Sequence, residues 1–443
     1  MEDSPHSVPI VEVAGTADSS FRWNTSALKT ILLNPKYANK KVALISVAGA
    51  YRKGKSFLLN FFIRYLESIT VYNPDYGMER GQNDWLSPSS RLEGFSWKHG
   101  RTPDTKGILI WSKPFLVEKS DGEEVVVLLM DTQGTFDSES TVRDCATIFA
   151  LSTMISSVQI YNLSQNLQED DLQHLQLFAE YGRLARGNSR STPFQSLLFL
   201  IRDWQYLQDA AYGFEGGEQI LNETLEVSQR QHDELRQLRQ DIRGWFDEMQ
   251  CFLMPHPGLD AATNRQFDGR LDGVEREFKE QLQVLVPKLL HPDNLVLKKI
   301  NDEEITCREL LEYFNQYAKV FQGGELPDLL SMFNANAEVN KRNAVTSALK
   351  IYDNEMRLRL NGNTPHLSTE ELNNLHEKCR NDAINFCNAK RMGEDASTFL
   401  ENLEKDLKVR RLEKIWDYRF FILWYHKDAA NMMTLLEKYT SIR

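Results

Sequence analysis

The stretch VALISVAGAYRKGKSFLLNFF, residues 42–62, sets GAYRKGKS (49–56) between an apolar strand-like run and an apolar helical pattern. GAYRKGKS fits G-x-x-x-x-G-K-[ST], and its context, strand before and helix after, is the one that a phosphate-cradling loop requires. Gly49 and Gly54 let the backbone curl so that successive N–H groups point at phosphate oxygens. Lys55 would bridge the β- and γ-phosphates, and the Ser56 hydroxyl would ligate Mg²⁺. A plain strand-turn-helix connection is the competing reading.

A second motif strengthens the first. DTQG, residues 131–134, closes the apolar run EVVVLLMD (124–131), and an Asp at a strand's carboxyl end can hold the magnesium shell. The Gly134 amide can then sense the γ-phosphate. Between the two motifs lies Thr105, in PDTKG, just before a further strand-like run. It can close over the nucleotide and give Mg²⁺ a second hydroxyl, or it can be an ordinary turn residue.

No N-K-x-D motif occurs where small GTPases read their base; the corresponding run ends in LIRDW, with Arg202 and Asp203. A carboxylate can accept from both N1–H and the exocyclic amine of guanine, which adenine does not offer, and a guanidinium can stack on the base. The same two residues would also make a strand-end ion pair. Thr135 stands where small GTPases place a water-orienting Gln, so another group must stabilise the transition state. Arg52, inside the phosphate loop, suits an arginine finger supplied in cis, though a solvated surface Arg is the plainer alternative.

Outward from the loop, the chain of 443 residues has room for two or three domains. Its net charge of −11 argues against a nucleic-acid partner held by a general basic field. The five scattered cysteines read as buried thiols of a reducing compartment. The start MEDSPHSVPI is no secretory signal, and no run nears the roughly 20 apolar residues of a spanning helix. As it stands the chain reads as soluble and cytosolic.

Strands are expected at 42–49, 107–117, 124–131, 157–163, 196–203 and 251–255, with helices at 56–66 and 169–184, which predicts an α/β fold with a mostly parallel sheet. Residues 71–106 lack periodicity and read as a long functional loop. From Glu303 onward strand signals cease. Leu310, Phe314, Tyr317 and Phe321 share a helical face, as do Val345, Ala348, Tyr352 and Met356. Ser368-Thr369-Glu370-Glu371 is a capping box before a third helix carrying Leu372, Leu375 and Cys379, and a fourth helical segment starts near Ser397. The expected organisation is a P-loop GTPase domain over 1–286, a linker or hinge over 287–302, an all-α three-helix bundle over 303–405, and a helical tail over 406–443.

GAYRKGKSFLLNF, DTQGTFDSESTVRDCATIFALSTMISS, YNLSQNLQEDDLQHLQLFAEYGRL, the Arg-Asp pair on its strand and CFLMPHPGLDAATNRQFDG together resemble the atlastins, dynamin-superfamily GTPases related to guanylate-binding proteins. The resemblance runs from about Lys41 to Met392. It implies a GTPase domain joined to a three-helix bundle, binding of GTP and GDP, nucleotide-dependent homodimerisation, and fusion of endoplasmic reticulum membranes from their cytosolic face. It further implies Arg52 as the cis finger, Lys53, Gly54, Lys55, Ser56 and Phe57 as nucleotide contacts, and Ser56, Thr105 and Asp131 as the magnesium set. Gln133 would lie near the phosphates, Arg202 and Asp203 would read guanine, and Ala261 and Asn264 would form a flap over base and ribose. Catalysis would rest on Arg52, Lys55 and Thr105.

Three departures from the family pattern stand out. Around Thr105 atlastins resemble G-G-S-E-R-[DE]-T-T-G, whereas this chain reads HGRTPDTKG (99–107), with Pro103 in place of the Arg and a T-K-G like that of guanylate-binding proteins. The insert YGMERGQNDWLSPSSRLEG (76–94) diverges. The family's paired membrane helices and amphipathic tail find no match here, so the expectation is the cytosolic portion of such a protein, or a soluble form of it. A GTP-gated tether or guanylate-binding-type scaffold with little turnover is the alternative to a hydrolysis-driven cycle.

Overall fold

A computed structural model describes residues 4–13, 21–50, 53–70, 84–97, 105–134, 142–175, 194–228, 231–264, 266–300, 302–321, 329–360, 367–389, 399–411 and 414. The chain forms two compact units, Met1–Phe333 and Asn334–Arg443.

The first unit is built on one mixed sheet. Its strands are β1 (Ser7–Val13), β2 (Phe21–Trp23), β3 (Lys41–Gly49), β4 (Ile108–Trp111), β5 (Phe115–Glu118), β6 (Glu124–Thr132), β7 (Val158–Ser164), β8 (Phe194–Arg202) and β9 (Phe246–Leu253), in the order β2-β1-β4-β6-β3-β7-β8-β9, with β5 also on β6. The run β6-β3-β7-β8-β9 is parallel; β1, β2, β4 and β5 pair antiparallel. Strands β3, β6 and β8 read as unbroken apolar runs because both faces are covered.

Helix α1 (Thr25–Leu32) is capped by Asn24, whose side chain accepts from the Ala27 N–H. Helix α2 (Lys55–Thr70) is apolar nearly all round and is buried from Phe57 to Phe62, as expected of a helix inside the core rather than on it. Helix α3 (Val142–Ile155) follows β6, and a helix begins at 169–175, α4. The rest of the helix expected over 169–184 lies outside the described residues. Helices α5 (Phe214–Thr224), α6 (Asp233–Arg243), α7 (Leu259–Thr263) and α8 (Arg276–Leu290) complete this part.

The run expected as one strand over 107–117 is two strands, β4 and β5, turning at 112–114. Pro114, with no N–H to give a ladder, sits at that turn. Residues 84–97 are irregular yet anchored: Asn60 Nδ2 donates to the Phe95 carbonyl at 3.0 Å and its Oδ1 accepts from the Phe95 N–H at 2.7 Å. Strand β1, β2 and α1, before Lys41, carry no signal that the motif reading used.

Pro287 lies inside the last turn of α8, where Leu285, Val286, Leu289 and Leu290 are buried. A two-residue strand at Glu303–Glu304 pairs with Lys299–Ile300, so strand pairing does occur after Glu303. Helix α9 (Cys307–Phe321) stays with the first unit: Leu310, Phe314 and Tyr317 are buried, and Phe314 meets the Trp23 ring edge-on at 5.6 Å.

The second unit holds α10 (Leu329–Leu360) from Asn334 on, α11 (Thr369–Ala389) and α12 (399–411). Ala348, Tyr352, Met356, Leu372, Cys379, Leu403 and Leu407 form its core. The expected capping box closes reciprocally: Ser368 N–H to Glu371 Oε2 at 2.7 Å, and Glu371 N–H to Ser368 Oγ at 3.2 Å.

Candidate active site

Parallel strands bring their carboxyl ends to one edge of the sheet, the edge where open α/β sheets bind ligands. Here Gly49 of β3 stands opposite Asn162 of β7, Val47 opposite Asp131 of β6, and Ser164 of β7 opposite Arg202 of β8. Three separate sequence motifs, spread over four neighbouring strands, therefore meet within a few strand spacings.

The loop after β3 bends on two glycines. Gly49 has φ +141°, and a Cβ there would lie 2.1 Å from the Asn162 carbonyl oxygen. Gly54 has φ +73°, and a Cβ there would lie 2.9 Å from Nη1 of Arg202. Side chains are thus barred by backbone conformation and by space alike. Lys55 opens α2, is 6 % exposed, and turns its ammonium back onto the Gly49 and Ala50 carbonyls at 3.2 and 3.3 Å. An ammonium held on loop carbonyls can exchange them for phosphate oxygens, which are stronger, charged acceptors.

Beside Lys55 three oxygen-bearing side chains converge. Asp131, fully buried, accepts from Ser56 Oγ at 2.6 Å and from Thr105 Oγ1 at 3.0 Å, both on Oδ2. Among the described residues its Oδ1 is buried without a hydrogen-bond partner. Burial pushes the Asp131 carboxyl above its ordinary range, opposed by the Lys55 charge, by the two hydroxyl donors and by the Thr132 backbone N–H. Two hydroxyls and one carboxylate form the all-oxygen donor set that Mg²⁺ takes in nucleotide sites, where it keeps waters and substrate oxygens for the rest. An Oδ1 free of hydrogen bonds among the described residues, beside two hydroxyls, describes a site that a hard cation fits.

Thr105 is held in place from behind. The Gly107 N–H donates to Gln133 Oε1 and the Gln133 N–H to the Gly107 carbonyl, each at 2.7 Å. Gln133 thereby clasps the segment carrying Thr105 to the end of β6, and Gly134 is buried next to it.

The remaining expected residues divide between the loop and the base side. Lys53 Nζ donates to Ser164 Oγ at 3.1 Å. Phe57 puts its side chain into the core, edge-on to Phe61 and Trp97, which leaves only its backbone N–H for a ligand. Arg202, 4 % exposed, lies under the loop: Nη1 reaches the Lys53 and Gly54 carbonyls at 3.3 and 3.4 Å, and the guanidinium sits 5.3 Å over the Phe278 ring. Burial lowers its pKa, with the Asp203 charge opposing. Asp203 occupies the left-handed region at φ +60°, which Asp tolerates, at the turn that follows β8. Ala261 is buried in α7, and Asn264 just after it is tied to Asp260 at 2.7 Å. Arg52, Pro103 and Thr135 lie outside the described residues.

Motif reading passed over Asn162, which is fully buried where β7 ends and donates from Nδ2 to the Lys53 carbonyl at 2.9 Å. The one available signal was a lone amide closing the apolar run VQIY.

Comparison with known proteins bears directly on this geometry. Residues 18–299 match the family model "Guanylate-binding protein, N-terminal domain", and residues 303–415 match "Guanylate-binding protein, C-terminal domain". Among curated relatives, Atlastin of Drosophila melanogaster is 49 % identical over 400 residues, 89 % of this chain and 73 % of the relative. Atlastin-1 of Rattus norvegicus is 48 % identical over 419 residues, covering 94 % and 72 %. Atlastin-3 of Homo sapiens is 49 % identical over 395 residues, covering 89 % and 72 %.

Proposed function

The chain belongs to the atlastin family of dynamin-like GTPases, and from that premise we propose that it is a Mg²⁺-dependent enzyme whose GTP cycle drives homodimerisation and the tethering and fusion of endoplasmic reticulum membranes. The observation carrying the catalytic part is the convergence of the Ser56 and Thr105 hydroxyls on the buried Asp131 carboxylate beside Lys55. Mg²⁺ bound there would neutralise charge on the β- and γ-phosphate oxygens.

In this reading Lys55 cradles the β- and γ-phosphates, and the backbone N–H groups of Lys53, Gly54, Ser56 and Phe57 surround them. Gln133 holds Thr105 at the γ-phosphate side, and the Gly134 amide senses that phosphate. Asp203 accepts from the guanine edge, and Ala261 and Asn264 shelter base and ribose. Arg52, assigned from the sequence, neutralises the charge that develops on transfer to water. Burial of Lys55 and Asp131 supports electrostatic catalysis at this site, since such stabilisation acts most strongly where water is excluded.

The two family models meet between 299 and 303, which supports a change of domain near the end of the linker read over 287–302, whereas the two compact units divide between Phe333 and Asn334, with α9 in the first. Among the described residues no helix is long and apolar enough to cross a membrane, so the place at the cytosolic face of the endoplasmic reticulum rests on family membership.

The test is multiple-turnover GTP hydrolysis with Mg²⁺ and with EDTA, for the wild type and Arg52→Ala, alongside light scattering in the empty, GDP and GDP–aluminium fluoride states. Turnover that needs both Mg²⁺ and Arg52, with dimers in the fluoride state only, is expected. A constant mass in all three states would remove dimerisation from the proposal.

A further inference from the structure

Asn162 touches both ends of the phosphate loop. Its backbone carbonyl lies against Gly49, where even a methyl group would come within 2.1 Å. Its side chain donates to the Lys53 carbonyl at 2.9 Å, and Arg202 Nη1 joins on the same oxygen at 3.3 Å. The next carbonyl, of Gly54, is already taken by the first helical bond, from the Leu58 N–H at 3.0 Å. The plane of the Lys53–Gly54 peptide is therefore set by neither strand nor helix. In a trans peptide C=O and N–H point in opposite directions, so whatever holds the Lys53 oxygen down aims the Gly54 N–H outward. Gly54 in the left-handed region followed by helical Lys55 is the alternation that makes an anion nest from successive N–H groups.

We propose that Asn162 is a positioning residue for the bound nucleotide: its amide, with Arg202 beside it, fixes the Lys53–Gly54 peptide so that the Gly54 and Lys55 N–H groups form a preset nest for the β-phosphate. Arg202 directly precedes Asp203, so this clamp ties the base-reading turn to the phosphate loop. Asn162 itself reaches no ligand; it acts through the backbone of the loop.

The inference rests on the nucleotide reading above, and the experiment separates the two. Fluorescent GDP and GMP are titrated into the full chain, wild type, Asn162→Ala and Asn162→Asp, at pH 8 with Mg²⁺, with thermal melts of each empty protein. The aspartate keeps the shape of the amide but turns its donor into an acceptor facing the Lys53 carbonyl, whereas alanine removes the donor and leaves a hole. The clamp predicts that GDP affinity falls about ten-fold or more in the aspartate variant, further than in the alanine variant, the scale of a lost buried hydrogen bond. GMP affinity, which owes nothing to a β-phosphate, stays within about two-fold on the same scale. A role in packing alone predicts equal losses for GDP and GMP in the alanine variant, where no charge is introduced; that result overturns the proposal. If the aspartate variant does not fold, Asn162→Ser is compared with Asn162→Ala: serine holding GDP better supports the clamp, and equal loss overturns it. A wild type that binds neither nucleotide refutes the nucleotide reading itself.

Discussion

Lys298 sits fully buried at the opposite end of β3 from the phosphate loop, and its replacement by methionine should change stability with a sign that depends on pH. Its backbone N–H donates to the Val42 carbonyl at 2.7 Å and its ammonium to the Ser156 carbonyl at 2.8 Å. No carboxylate pairs with it among the described residues, and burial pulls its pKa down to about 7 from 10.5. At about 1.4 kcal/mol per pKa unit, that difference amounts to roughly 5 kcal/mol in total. Between pH 7 and 10.5 the unfolded chain holds a proton that the folded chain lacks, so wild-type stability rises with pH through that window. Near pH 7 folding still carries about 4 kcal/mol of this penalty, which methionine removes. Methionine also strands the Ser156 carbonyl, a loss of about 1–3 kcal/mol. The variant should therefore be more stable than wild type by about 1–3 kcal/mol at pH 7, and less stable by up to about 2 kcal/mol near pH 10, where less than about 1 kcal/mol of the penalty is left to remove. Thermal melts of both proteins from pH 6.5 to 10 read the difference directly, with every other titrating group cancelling. A difference that does not change with pH would show that the lysine stays charged in the fold and would refute the argument.

Three further outcomes bear on the site. Lys55→Ala should abolish nucleotide binding, because the phosphates lose their main counter-charge; wild-type affinity by fluorescent-GTP titration would end the phosphate-loop assignment. Asp203→Asn should bind GTP more weakly, by about 1–3 kcal/mol per unpaired group, and xanthosine triphosphate relatively better; equal competition of ATP and GTP in the wild type would count against Asp203 as the base reader. Ser56→Ala removes the 2.6 Å bond to Asp131. It should raise the Mg²⁺ concentration that half-saturates hydrolysis by about ten-fold, whereas an unchanged Mg²⁺ titration would place the cation elsewhere.

What the sequence determined by itself was local chemistry. The phosphate loop was legible because its requirements are close together in the chain: a buried strand, two glycines with five residues' reach, a lysine and a hydroxyl at a helix start. DTQG was legible for the same reason, as a polar motif closing an apolar strand, and family resemblance then joined the pieces. The Ser368–Glu371 capping box likewise needs only four consecutive residues.

Tertiary structure alone decided what crosses between strands. That Asp131 gathers Ser56 and Thr105 depends on the β3–β6 and β4–β6 registers. That Gln133 turns back to clasp Gly107 depends on the same pairing. Arg202 offers stacking on a base when read as a motif, yet its guanidinium lies beneath Gly54 and over Phe278, because β8 ends one strand beyond β7 and level with the loop. Asn162 has no motif at all. Its part follows from standing opposite Gly49 in the parallel ladder, a juxtaposition of residues more than a hundred positions apart that only strand pairing creates.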